Sequence, residues 1–251
     1  MSLVIPEAAW DEYVAALAKI DRVATERMQK YIDSHEIDSE EAIQRMVAVA
    51  YGISTYYGEA AAELAAEMYD LFNEGEPAEP AETSPYWYID MAVRGALKMA
   101  PYAILVAGAV GRTVKLAGQD TTLKNAIRDG AEVAWIPHGD TCPFCIMLAG
   151  EGWKKAYPSM LKDGHAKHVH SNCDCAYAIR RTESTQYAGY DPDKYRKMYE
   201  SADGVTEKQK LNAMRRAYYE QNKERINEQK RAAYARSKAL ESSAAEETEV
   251  N

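Results

Sequence analysis

Residues 140–150 read DTCPFCIMLAG, so two of the chain's four cysteines stand on one tight turn, and the other two follow in HVHSNCDC at 168–175. Cys142 and Cys145 are separated by two residues; 24 residues then intervene before His170, Cys173 and Cys175. Two ligands spaced this way can both point inward from a turn, and two such knuckles joined by a hairpin complete a tetrahedron around one ion. Cys142 and Cys145 make the first knuckle, and His170 and Cys173 the second. Cys175 competes with His170 for the last position, and His165 and His168 are weaker spares. Soft thiolates with an imidazole suit Zn²⁺, and four protein ligands leave no place for a reactive water, so the expected zinc is structural.

Two other chemistries compete for these residues. Cys142-Pro143-Phe144-Cys145 echoes the dithiol of glutaredoxin-like oxidoreductases, but that chemistry needs the first cysteine at a helix N-terminus after a strand, and a helical region precedes the motif here. A zinc-containing nuclease of the histidine-asparagine-histidine type would use His165, His168, His170 and Asn172, yet these crowd directly before the CDC with no open divalent site suggested nearby. The chain carries no H-E-x-x-H, G-x-S-x-G or P-loop, and no catalytic residue is assigned.

The hydrophobic fraction of 47% is ample for a core, and no basic leader or 18-residue apolar run marks a signal peptide or membrane span. In a reducing compartment, clustered cysteines hold metal more often than they form disulfides. The net charge of −9 conceals an asymmetry: residues 206–240 hold ten Lys/Arg against four Glu, leaving −15 on the remainder. Such an arm meets a polyanion or an acidic neighbour.

Upstream of the cysteines the pattern is helical. Trp10, Tyr13, Val14, Leu17, Ala24, Met28 and Tyr31 share one face of a helix over about 6–34, and Asp38-x-x-Glu41 reads as a capping box for a second helix reaching 71. NEGEPAEPAETSP at 73–85 is an acidic, Pro-rich linker or exposed loop, after which Ser84 caps a helix with Pro85 at its first position. Another apolar helix ends near Gly118, and Thr121 or Thr122 caps a short one stopped by Gly130. Two-residue periodicity at 131–137 predicts a strand, and a second is expected at 175–181. A short helix follows Asp191-Pro192, then a long charged one, and 241–251 is expected to be disordered. The expected fold class is mainly α: a helical region over 1–130, a small zinc-clipped α+β module over 131–182, and 183–251 with a long basic helix and tail.

With D-x-C-x2-C-x2-L on one side and H-x2-C-x-C on the other, residues 140–175 resemble the signature of phage minor head proteins related to the F protein of phage Mu. The matching positions are Asp140, Cys142, Cys145, Leu148, Gly150 or Gly152, His170, Cys173 and Cys175, with further likeness in RDGAEVAWIPHGDTC and GYDPDKYRKMY. That family commonly has proline at the second knuckle, where this chain has Ser171-Asn172. The resemblance implies a non-enzymatic virion component, in the head near the portal after assembly in the host cytoplasm, with portal and major capsid proteins as partners. It also implies a part in packaging or ejection of double-stranded DNA. The arm residues Arg215, Arg216, Lys223, Arg225, Lys230, Arg231 and Arg236 are the candidates for phosphate contact, without reading of sequence.

Overall fold

The computed structural model describes residues 3–71, 75–99, 101–139, 141–161 and 174–249, with backbone alone at 229, 233 and 236–249. Four helices form the body: α1 (Glu7–Asp33), α2 (Glu40–Asp70), α3 (Tyr86–Leu97) and α4 (Tyr102–Asp129). α4 packs against the other three. Their shared core holds Met28, Met46, Val47, Ile89, Val106 and Val110, all essentially inaccessible. The mainly α expectation holds, and among the described residues no helix is long and apolar enough to cross a membrane.

Helix boundaries differ from the sequence expectation where local polar groups are used otherwise. Ser39, not Asp38, caps α2: its backbone is extended and its hydroxyl oxygen accepts the Ala42 N–H at 3.2 Å. α3 begins at Tyr86 behind an extended Pro85, so Ser84 is not its cap. The largest correction is α4, which runs unbroken through Gly118. A Cβ at Gly118 would stand 3.2 Å from the Ala61 carbonyl oxygen and 3.4 Å from Leu17, so this glycine lets α1 and α2 approach and ends nothing. The Thr121 and Thr122 hydroxyls bond back to Ala117 and Gly118 carbonyls inside the helix instead of capping a new one. Gly130 does terminate α4, at φ 63°.

The acidic Pro-rich stretch is a strap and not a free loop. Ala81 is buried with its N–H donating to Thr121 Oγ1 at 2.9 Å, and Asn125 both accepts from the Glu79 N–H and donates to the Glu79 carbonyl. Arg128 donates to the Glu76 and Pro77 carbonyls. The C-terminal end of α4 is fixed further by Asp129, whose carboxylate accepts from Tyr69 Oη, Arg128 Nε and, at 2.8 Å, the Arg181 guanidinium.

After α4 the chain forms β2 (Glu132–Ile136), α5 (Pro143–Gly150), β3 (Lys154–Lys155) and β4 (Ala176–Arg180), with antiparallel strand order β3-β2-β4. β2 was expected to bury one face, yet its inner four residues are all buried. Val133 and Trp135 face a cluster with Tyr69, Leu123 and Ala126 of α2 and α4, while Ile136 joins Trp10 and Tyr13 of α1. The module therefore shares its core with the helices and does not depend on a metal alone for burial. β1 (Leu3–Ile5) lies parallel to β5 (Thr185–Tyr187), a pairing with no two-residue signal in so short a stretch. α6 (Pro192–Glu200) starts at Asp191, whose carboxylate accepts two N–H groups, and α7 (Glu207–Glu249) continues through the region expected to be disordered.

The Arg128 guanidinium, with Tyr69 and Arg181, holds the Asp129 carboxyl well below the usual range. A depressed carboxylate stabilises the fold above its ordinary value of 3.8 and loses that contribution as pH falls below it. Asp129→Asn is expected to cost about 2–3 kcal/mol at neutral pH, the scale of a charge-assisted hydrogen-bond set. The deficit should shrink when urea unfolding is repeated at acid pH; a pH-independent deficit would contradict the assignment.

Candidate metal centre

The β2–β4 ladder ends with Ile136 opposite Ala176, so Cys175 stands one residue beyond the last pair. The chain leaving β2 reaches Cys142 six residues later. Cys142 is extended and caps α5: its Sγ accepts the Cys145 N–H at 3.5 Å, while Pro143 at the first position has no N–H to satisfy. An N–H to sulfur bond within the C-x2-C turn is what orients two thiols from one knuckle toward a common point. Cys145 and Cys175 are buried and Cys142 is half-buried, all three within one cluster that includes Trp135, Tyr177 and Met160. Trp135 meets Tyr177 edge-on at 4.7 Å, and its indole N–H is buried with no hydrogen-bond partner among the described residues.

Among the described residues no three His, Cys, Asp or Glu side chains are grouped to hold an ion. Asp140, His165, His168, His170 and Cys173 lie outside the described residues. The Cys142–Cys145 knuckle fits a soft ion by donor chemistry, since thiolates in an apolar cluster are favoured by a metal and disfavoured without one. Cys175 shares their cluster, and further donors would come from 162–173.

The placement of β4 depends on two residues that motif reading passed over. Gln119, buried on α4, donates from Nε2 to the Cys175 carbonyl at 3.2 Å and accepts the Tyr177 N–H on Oε1 at 3.1 Å. Its amide thus pairs with the strand's edge as a peptide would. One turn earlier, Lys115 Nζ lies 3.1 Å from Asp21 of α1 and 3.7 Å from Asp174, next to Cys175. Burial pushes the Asp21 carboxyl up, with Lys115 opposing. Lys115, Gln119, Asp174 and Cys175, with apolar side chains of α1 and α4, line a partly open cavity of about 20 Å³, space for a single water. The available signal was polar residues interrupting an apolar helix, which marks partners that local spacing cannot name.

Cys142 also corrects the case against the dithiol. It stands at a helix N-terminus after a strand, although the two strands here are antiparallel and form no βαβ unit. The arm residues are placed otherwise: Arg215, Arg216, Lys223, Arg225, Lys230 and Arg231 are exposed on α7, whose first turns pack on the cysteine helix α5. Arg225 donates to Tyr218 Oη and Asn222 Oδ1, and Lys223 pairs with Glu220 at 3.4 Å. Arg236 lies on α7, with its side chain outside the described part of the structure.

Gln119→Leu removes both bonds to β4 and strands a buried carbonyl and N–H, a loss of about 2–4 kcal/mol. Amide hydrogen exchange should speed up in β4 more than in α1 and α2. Uniform exchange across all three would contradict the clamp.

No curated protein and no solved structure matches the chain. A family model does, over residues 4–202, from β1 through α6 and across the cysteine helix and the strands it joins. The chain belongs to the VG15 protein family, a family of viral proteins, which makes it a phage protein.

Proposed function

We propose that the chain is a structural minor head protein of the phage particle, acting at the portal vertex during head assembly and DNA packaging or ejection, with portal and major capsid proteins as partners. The observation that carries this reading is how the cysteine helix is mounted. Cys175 and the strand that follows it are held to α4 by the buried Gln119 amide, and Cys142 and Cys145 share the same apolar cluster. Family membership adds the viral setting. A structural Zn²⁺ held by Cys142 and Cys145 with His170 and Cys173, Cys175 competing with His170 for the last position, would close the turn between β2 and β4. When bound, the ion supplies cross-linking of two chain segments and no open coordination position.

A second reading, a dithiol oxidoreductase, is favoured by one observation, Cys142 capping α5 after β2. Nothing among the described residues favours the zinc nuclease.

Purified protein should contain one zinc per chain by elemental analysis, with Cys142→Ser and Cys145→Ser each losing it. Because β2 and β4 share the core of α2 and α4, these variants should loosen 137–175 while the helical circular dichroism remains. Metal-free wild type cycling reversibly between a Cys142–Cys145 disulfide and dithiol would replace the structural reading with the redox one. Proteomics of purified particles tests the head role directly: the chain's absence from both proheads and virions would refute it.

A further inference from the structure

The outer face of α2 carries a row of carboxylates with which no cation among the described residues pairs. Glu59, Glu63 and Glu67 are exposed one turn apart, Asp70 continues the row, and no ion pair involves the three glutamates. Like charges at i,i+4 destabilise a helix unless something opposite lies across them. The row is bracketed by two exposed apolar residues, Tyr56 at 68% and Leu71 at 73%.

α7 carries the complementary stripe. It packs on α5 and α6 only near its start, where Leu211 is buried and Met214, Tyr218 and Asn222 line a groove with Tyr195 and Met198. Past Asn222 roughly 40 Å of helix continues. Tyr219, Lys223, Ile226, Lys230 and Tyr234 follow one another at three- and four-residue steps, a face free of glutamate with Lys223, Lys230 and Tyr234 exposed. From Tyr56 to Leu71 and from Tyr219 to Tyr234 the span is the same, fifteen steps, about 22 Å of helix. One stripe is acidic between apolar ends; the other is basic between aromatic ends.

We infer that the Tyr219–Tyr234 face of α7 docks on the Tyr56–Leu71 face of α2 in a second copy of this chain. α7 is one unbroken helix seated on α5 and α6 and not on its own α2, which leaves the stripe for another molecule. Arm and face are different surfaces, so the contact is either exchanged reciprocally in a two-fold dimer or repeated head to tail into a ring or filament. Duplex DNA is the less favoured occupant. Over 207–249 the helix holds ten Lys/Arg but eight Glu, of which Glu220, Glu224 and Glu228 interleave with the basic residues, and a phosphate lattice repels them from several sides. This inference is independent of any bound metal.

The test is sedimentation of the full chain at low salt and near 1 M, where the screening length falls to about 3 Å. Wild type should assemble at low salt and dissociate at high salt. The triple variant Glu59→Lys/Glu63→Lys/Glu67→Lys should be monomeric, as should Lys223→Glu/Lys230→Glu, since all five sites are exposed and leave the fold intact by circular dichroism. The variant combining all five substitutions should assemble again. Wild type that stays monomeric at low salt, or assembly that neither reversal weakens, overturns the proposal. So does a Lys223→Glu/Lys230→Glu variant whose one deficit is loss of duplex DNA binding in a gel shift.

Discussion

One buried amide determines where the cysteine strand lies. Gln119 meets β4 twice, at the Cys175 carbonyl and the Tyr177 N–H, and so treats a strand edge as if α4 supplied one more peptide. Without that pair the two backbone groups would be buried and unsatisfied, which costs more than the bonds gain when made. Since β4 in turn fixes β2 through five register pairs, the position of the turn leading to Cys142 follows from α4. Lys115 reinforces the same junction one turn away, linking α1 and the residue before Cys175 through Asp21 and Asp174.

α4 can do this because it is continuous and tightly approached. Gly118 brings the Ala61 backbone within van der Waals reach, and Thr121, Asn125 and Arg128 fasten the 75–85 strap along its length. Asp129 then joins its last turn to Tyr69 of α2 and Arg181 after β4. The thiol cluster is consequently built against a helix that both buried and exposed polar contacts fix in place.

Much of this was legible in residue order. The positions of Trp10, Tyr13, Val14 and Met28 marked the buried face of α1, and Gly130 marked the end of α4, because helical periodicity and the left-handed cap are local properties. β2 and β4 were visible as strands, and the C-x2-C spacing singled out the knuckle. What was not legible depended on partners distant in sequence. Gly118 looked like a stop because the chain does not announce that Ala61 will lie against it. The strap looked free because its bonds go to α4 side chains 40 and 46 residues away. β1 and β5 are too short to carry a period, and Gln119 carries no motif at all.

X-ray absorption at the zinc edge of the purified full chain tests the central claim most directly. The account predicts a first shell dominated by sulfur at about 2.3 Å, with a sulfur contribution that falls in Cys145→Ser. A protein without zinc, or a shell of oxygen and nitrogen alone, would contradict it.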